Sequence, residues 1–149
     1  MARAGSSVDY QALAEFRYQI RKFLTFSQEA ARGAGIDPQQ HQLLLAVRGL
    51  PASTKPSIRV LAERLQIRHH SAVELVDRSV SHGLVERQRD GSDHRQVTIH
   101  LTSKGERLLS ELSLHHRDEL RTAGRDLARV LRSIIGDGSG RRRRRVPST

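Results

Sequence analysis

Six polar residues between positions 68 and 78 have the types and spacing of a surface that reads nucleic acid. They are Arg68, His69, His70, Ser71, Glu74 and Arg78. Serine and glutamate have the right size to meet base edges in the major groove of DNA, where glutamate accepts a hydrogen bond from a cytosine amino group. Histidine can donate to phosphates or to bases. A solvated polar helix face has the same composition, so both interpretations stay open for this set.

Two arginines lie slightly further along, in a segment with the composition of a strand. Arg87 and Arg89 are two residues apart, so a strand places both on one face. They are candidate phosphate contacts, and ordinary surface charges would look the same. A basic hairpin tip can enter the minor groove, where the negative potential attracts arginine.

Apolar residues at spacings of three and four predict the helices that must position these side chains. The predicted helices cover about residues 9–32, 38–48, 58–65 and 69–81. Ser57 is the expected N-cap of the third helix. Gly83 is expected to end the fourth helix in a left-handed conformation.

A β-hairpin is predicted immediately after the fourth helix. Val97, Ile99 and Leu101 alternate with polar residues, and an Asp-Gly turn precedes them. A capping box at 103–106 then predicts two further helices that end near residue 135. Two short helices followed by a hairpin form a winged helix-turn-helix, so the predicted fold class is mainly α with a small β-hairpin wing.

The composition narrows the class of partner. The 149 residues carry a formal net charge of +10 and no cysteine, which excludes thiolate chemistry and disulfides and favours an anionic partner. All five aromatic residues lie within the first 26, so the rest of the chain offers no platform for stacking single-stranded bases. We therefore expect duplex DNA, and not a single strand, as the nucleic-acid partner. No apolar run has the length of a membrane span or of a signal peptide, so we expect a soluble, cytoplasmic protein.

Half of the net charge is concentrated near the end of the sequence. Residues 141–145 are five consecutive arginines in a segment rich in glycine and serine, which predicts a disordered tail over 136–149. Such a tail strengthens nonspecific DNA binding or is functionally silent, and the sequence favours neither.

Five segments, in this order, resemble the MarR family of transcriptional regulators. They are Ser57–Leu65, Leu75–Arg78, Gly83–Arg87, Asp93–Arg95 and Leu101–Gly105. The resemblance extends over about residues 9–135 and implies a homodimer that binds pseudo-palindromic promoter DNA, usually as a repressor. It also implies release by a small aromatic anion in many members. Ser79, where the family commonly has leucine, departs from the pattern, as does the arginine-rich tail.

The resemblance also suggests roles for individual residues and a domain organisation. Arg95 matches the family's minor-groove arginine, and Asp93 is expected to orient Arg95 or to cap the turn, since phosphates repel a carboxylate. The predicted domains are an N-terminal dimerisation helix (1–36), a winged helix-turn-helix DNA-binding domain (37–102), C-terminal dimerisation helices (103–135) and the tail (136–149). The apolar stripes Leu13–Phe23 and Leu120–Ile134 exceed what one small winged domain needs to bury, which agrees with a dimer.

The sequence specifies sites for an effector or a metal less clearly than it specifies the DNA-binding residues. Phe16, Tyr18, Phe23 and His41 are candidates for an effector pocket, and packing on helix faces explains them equally well. Glu111, His115 and Glu119 are spaced four apart and could ligate zinc, which would make the protein a metal-responsive regulator, but surface histidines on a helix are the more common case. We expect neither a cofactor nor catalysis, because the sequence contains no catalytic motif. A protein-interaction module without specific DNA binding and a nonspecific architectural protein remain alternatives.

Overall fold

The computed structural model describes residues 7–91 and 93–136, without the side chains of residues 90, 93 and 94. The elements of this part of the chain are α1 (Tyr10–Gly33), α2 (Pro38–Arg48), α3 (Ile58–Leu65), α4 (His69–Ser81), β1 (Val85–Asp90), β2 (Asp93–Leu101) and α5 (Ser103–Ile135). The predicted fold class, mainly α with a β-hairpin, is confirmed. The arginine run 141–145 and the remainder of the predicted tail beyond residue 136 lie outside the described residues.

Helix α2 begins with a complete capping box. The carboxylate of Asp37 accepts a hydrogen bond from the Gln40 backbone N–H at 2.9 Å, and the Gln40 side chain accepts one from the Asp37 N–H at 3.0 Å. Pro38 occupies the first helical turn, where its missing N–H costs nothing. Three local signals thus agree, and the helix begins and ends as predicted.

A three-residue turn joins α3 to α4. Ser57 caps α3 through the Val60 N–H at 3.3 Å, as predicted. Gln66 ends α3 in the left-handed region, with φ of 55° and ψ of 44°, and its side chain donates to the Glu63 carbonyl at 2.7 Å. A residue other than glycine rarely adopts this conformation, so the turn holds a small backbone strain. The tight turn allows α3 and α4 to pack closely.

The two strands pair in antiparallel fashion, with Arg87 opposite Ile99 and Arg89 opposite Val97. The Ile99 N–H also donates to the Pro56 carbonyl at 2.9 Å, which ties the hairpin to the segment before α3. Gly83 has a φ of +70° and lies between α4 and β1, as predicted.

After the hairpin, the structure corrects two predictions. A single helix, α5, covers the 33 residues for which two helices were expected. The residue that caps it is Thr102 and not Ser103, because the Gly105 N–H donates to the Thr102 hydroxyl at 3.1 Å. That hydroxyl also donates to the Gly83 carbonyl at 2.5 Å, so Thr102 links the start of α5 to the end of α4.

The chain divides into two compact units, and Thr25–Asp118 contains the hydrophobic core. Helix α4 contributes Ala72, Leu75, Val76 and Ser79 to the buried residues. Val80 is 37% exposed, because it lies at the edge of the buried face and not at its centre. The hydroxyl of Ser79, which replaces the family's leucine, donates to the Leu75 carbonyl at 2.8 Å and is therefore satisfied.

The second unit consists, among the described residues, of 7–24 and 119–136. Several of its large apolar side chains are exposed. These include Tyr10 at 77%, Leu13 at 42%, Tyr18 at 52%, Leu24 at 48% and Leu120 at 42%. No described helix is long and apolar enough to cross a membrane.

Candidate nucleic-acid interface

The exposed face of α4 contains the predicted base-reading residues. Because Ala72, Leu75, Val76 and Ser79 are buried, the helical period directs the opposite face to solvent. His70 and Glu74 lie at the centre of this face and are exposed, whereas Ser71 is half-buried at its edge. The helix therefore presents a polar surface opposite its packed surface.

The first turn of α4 is exposed to solvent. Arg68 is the N-cap residue, and its side chain makes no capping hydrogen bond. Arg68, His69 and His70 are all exposed, and the first turn contains no acidic residue. The positive side chain of Arg68 and the positive end of a helix dipole together favour a phosphate at this end.

At the opposite end of α4, Arg78 contacts other protein residues. Its guanidinium forms an ion pair with Asp37 at 3.4 Å and donates to the Gln39 side-chain oxygen at 3.2 Å. Both partners lie at the start of α2. Arg78 thus helps to position α4 in this structure, and its predicted DNA contact stays a prediction.

His82, the C-cap residue of α4, is held by two further hydrogen bonds. The buried Gln40 side-chain nitrogen lies 2.7 Å from His82 Nδ1, and Lys104 Nζ donates to the His82 carbonyl at 2.9 Å. Since Gln40 Oε1 already accepts from Asp37, its NH₂ group faces the imidazole, so Nδ1 accepts and the ring proton is on Nε2. These contacts fasten α4 to α2 and α5.

Two of the predicted hairpin arginines are placed by the strand pairing. Arg87 and Arg89 share a face with Val97 and Ile99, as their spacing predicted. Arg87 forms an ion pair with Asp77 of α4, so this strand face is turned toward that helix. Asp77 was not predicted to take part in the site. Its position on the exposed face of α4 could be read from the helical period, but its partner could not.

The hairpin tip is only partly described. Arg95 lies on β2 and is exposed, as is Arg89. The backbone of Asp93 begins β2, but its side chain lies outside what the structure describes, so its predicted orienting role stays a prediction.

The candidate pocket residues fall into different compact units. Phe16, Tyr18 and Phe23 belong to the unit formed by the chain ends, whereas His41 belongs to the core unit. Tyr18 is 52% exposed, and Lys22 Nζ lies 5.4 Å from its ring centroid, in the geometry of a cation–π contact. The pocket therefore stays a prediction.

His41 forms part of a buried polar cluster in the core unit. Its ring centroid lies 4.8 Å from that of His116. His116 donates from Nδ1 to the Leu112 carbonyl at 2.6 Å, and its Nε2 lies 2.8 Å from Ser27 Oγ. Burial and the neighbouring His116 lower the pKa of His41 from 6.5 to about 4. His41 is therefore neutral at physiological pH and contributes to packing.

The candidate metal ligands do not form a recognisable site. In the part of the chain that the structure describes, no three histidine, aspartate or glutamate side chains are grouped so that they could hold a metal ion. Glu111 and His115 are exposed residues of the core unit, and Glu119 belongs to the other unit. No described contact supports zinc sensing.

The fold and this surface together define the class: a winged helix-turn-helix of the kind found in transcription regulators. Residues 34–96 match the family model described as the MarR family, so this segment of the chain is similar to that family. The resemblance inferred from the sequence is thus confirmed.

Individual relatives agree with this similarity. The chain is 34% identical over 65 residues to YsmB of Bacillus subtilis, an uncharacterised HTH-type transcriptional regulator, and the match spans 44% of each protein, less than half the length of this relative. A MarR-family protein from Bacillus stearothermophilus has 27% identity and a TM-score of 0.60, over 88% of this chain and 86% of that one. A variant of MepR from Staphylococcus aureus, solved bound to an oligodeoxyribonucleotide, has 17% identity and a TM-score of 0.63 over 87% and 97% of the chains, which shows the fold alone.

Proposed function

We propose that this protein is a dimeric, sequence-specific DNA-binding transcriptional regulator of the cytoplasm that acts as a repressor. The observation that carries the proposal is the first turn of α4, where Arg68, His69 and His70 are exposed beside a hairpin that bears arginines. A helix of this kind reads base edges through its N-terminal residues, and a wing adds contacts in the minor groove.

The relatives support the DNA partner. The MepR structure of the same fold was solved with an oligodeoxyribonucleotide, and YsmB is described as a transcriptional regulator. Phosphate contacts supply much of the affinity of such proteins, so we expect binding to weaken steeply with salt.

A second copy of this chain is the proposed partner for the exposed apolar side chains of the chain-end unit. Leu13, Leu24 and Leu120 are each more than 40% exposed there, and none belongs to the core cluster of the other unit. A dimer would bury them and would present two α4 helices to half-sites about one helical turn apart. Sedimentation velocity should detect a dimer in the wild type, and Leu13→Glu should shift it to monomer. Gln11→Glu, an exposed position on the same helix, is the matched control.

Selection from a random duplex library tests the proposed specificity, because it requires no operator sequence at the outset. The full chain is immobilised, and bound duplexes are enriched at ~150 mM salt, where nonspecific binding is weak. We expect one pseudo-palindromic motif to emerge. If the library stays random, the protein is a nonspecific binder or an interaction module.

The arginine run requires its own control in this experiment. A variant with serine at 141–145 removes five positive charges from a segment outside the described residues. If the proposal holds, the same motif emerges with and without the run. An architectural protein that depends on its tail would lose binding altogether.

A further inference from the structure

Four polar side chains form a continuous path from the start of α2 to the end of α4. We call this path the α2–α4 relay, and its members are Asp37, Gln40, Arg78 and His82. One oxygen of Asp37 belongs to the capping box with Gln40, and the other pairs with Arg78 at 3.4 Å. Gln40 Nε2 lies 2.7 Å from His82 Nδ1. Because Gln40 is 1% exposed and His82 is exposed, solvent protons have access to one end of the relay while its middle is shielded from water.

The hydrogen bonds of Gln40 fix the direction in which its amide group points. Oε1 accepts from the Asp37 N–H at 3.0 Å, and the NH₂ group donates to Nδ1 of the neutral His82 ring. If the amide turned over, its NH₂ group would meet the Asp37 N–H, and two donors would face each other. The buried Gln40 therefore requires an acceptor at its NH₂ end, and His82 supplies that acceptor only while Nδ1 carries no proton.

A second proton on the imidazole removes this acceptor. Histidine side chains gain that proton as the pH falls from about 8 to about 5, and both ring nitrogens are then donors. The Nδ1–H of a protonated His82 would point at the NH₂ group of Gln40. Either the Gln40 amide turns over and breaks the capping box, or the His82 ring turns away and leaves a buried NH₂ group without an acceptor. Both outcomes cost a hydrogen bond of the relay.

Charged groups from three helices lie around His82. Those of α5 line a cleft together with His82, and they are Lys104, Arg107 and Glu111. Lys104 Nζ also donates to the His82 carbonyl at 2.9 Å, which leaves the ring nitrogens to the relay. On the side of α2 and α4, Asp37 and Arg78 form their ion pair. None of these groups replaces the imidazole: within the described residues, the Gln40 NH₂ group has His82 as its one acceptor.

We propose that Gln40 and His82 are positioning residues for the DNA-reading helix α4, and that protonation of His82 loosens this helix and weakens sequence-specific binding in mild acid. Because α4 is one helix of 13 residues, freedom at its last turn changes the direction of its first turn, where the base-reading residues lie. The effect on DNA rests on the proposed function. The rearrangement of the relay does not rest on it and can be measured without DNA.

Three substitutions separate the acceptor from the charge. His82→Asn keeps an acceptor oxygen close to the place of Nδ1 and does not titrate. His82→Ala removes the acceptor at every pH. Gln40→Glu restores the pairing from the other side, because a carboxylate accepts from an Nδ1–H and still accepts from the Asp37 N–H.

The first test follows the relay by NMR in the full chain without DNA. From pH 8 to pH 5.5, the Gln40 side-chain NH₂ signals and the Asp37 amide signal should move with the same midpoint as the His82 ring signals. In His82→Asn both should stay in place. His115→Asn, at an exposed position of α5, is the matched control and should leave the titration of the relay unchanged. Gln40 and Asp37 signals that do not follow His82 would overturn the proposal.

The second test measures affinity for a duplex enriched by the selection described above, at pH 7.5 and at pH 5.5. The wild type and His82→Asn share His69 and His70, so the ratio of their dissociation constants isolates position 82. The two proteins should bind equally at pH 7.5, and the wild type should bind at least about fivefold more weakly than His82→Asn at pH 5.5. Gln40→Glu should also bind more tightly than the wild type at pH 5.5.

His82→Ala completes the comparison, because it should bind at pH 7.5 as weakly, relative to His82→Asn, as the wild type does at pH 5.5. A wild-type to His82→Asn ratio that does not change with pH would refute the positioning role. If no variant binds a selected duplex at pH 7.5, the proposed function fails, and the NMR titration still decides whether the relay responds to His82.

Discussion

Arg87 on β1 and Asp77 on α4 form an ion pair that joins the hairpin to the helix beside it. The two side chains are partly exposed, so the pair contributes at most about 1 kcal/mol to the free energy of unfolding. Its main consequence is electrostatic. The carboxylate offsets one positive charge that the hairpin would otherwise present to a phosphate.

Asp77→Asn should therefore strengthen binding to random duplex DNA at low salt. Removal of the carboxylate leaves Arg87 free to neutralise a phosphate, so the slope of log K against log salt should become steeper by about 1. Fluorescence anisotropy at several salt concentrations measures both quantities. Asp126→Asn, which also breaks an ion pair with an arginine but lies in the chain-end unit, is the control. An unchanged slope in Asp77→Asn would show that Arg87 does not approach phosphate.

Alanine substitutions at Gly105 and Gly124, which both lie on α5, should change the free energy of unfolding in opposite directions. A Cβ at Gly105 would overlap the Leu84 carbonyl, whereas a Cβ at Gly124 would make ordinary contact with Leu120 at 3.8 Å. Gly105→Ala should lower the free energy of unfolding by about 1–3 kcal/mol, because backbone must shift to admit the methyl group. Gly124→Ala should raise it by up to about 1 kcal/mol, as expected for a helical glycine. Urea denaturation measures both, and a stable Gly105→Ala would contradict the close approach of α5 to Leu84.

The buried His41 predicts a loss of stability in acid. Its pKa is lowered from 6.5 to about 4 in the folded chain, so between these values the unfolded chain binds a proton that the folded chain does not. The contribution is therefore fully present above pH 6.5 and is lost as the pH falls toward 4. Its full size is roughly 3 kcal/mol.

Urea midpoints measured from pH 7 to pH 4.5 test this contribution of His41. His41→Gln should flatten the dependence, whereas His115→Gln, an exposed histidine of α5, should leave the wild-type slope in place. Equal slopes in the wild type and in His41→Gln would show that His41 titrates normally in the folded chain.

The helix boundaries could be predicted from the sequence where strong local signals start or end a helix. Gly83 adopts the left-handed conformation that ends α4, and the Asp37-Pro38 pair starts α2. The single helix α5 could not be predicted from its apolar stripe, because the stripe is interrupted between Leu112 and Leu120 by a run in which only Leu114 is apolar. Thr102 could not be identified as the cap, because its bonds to Gly83 and Leu84 form only once the hairpin has folded back.

The contacts that hold α4 in place could not be predicted from local patterns. Asp37 and Arg78 are 41 residues apart, and Gln40 and His82 are 42 apart. Helical periodicity predicts which face each side chain occupies, but the partner depends on how α2 and α4 pack. For this reason the sequence groups Arg78 with the DNA-reading residues, although the structure gives it partners on α2.

Arg95→Ala should weaken binding to the selected duplex by about 10-fold to 100-fold and leave the dimer intact. The expected loss is that of one arginine in the minor groove, where the potential is most negative. Anisotropy gives the affinity, and sedimentation velocity gives the oligomeric state. Arg117→Ala removes the same charge from α5 and is the control. An unaltered affinity in Arg95→Ala would exclude the proposed minor-groove role of Arg95.

The most direct test of the central claim compares two duplexes of equal length at ~150 mM salt, one selected from the random library and one with the same bases scrambled. If α4 and the hairpin read DNA sequence, the full chain should bind the selected duplex at least about 10³-fold more tightly. The variant with serine at 141–145 should keep that ratio. Equal affinity for the two duplexes would contradict sequence-specific regulation by this protein.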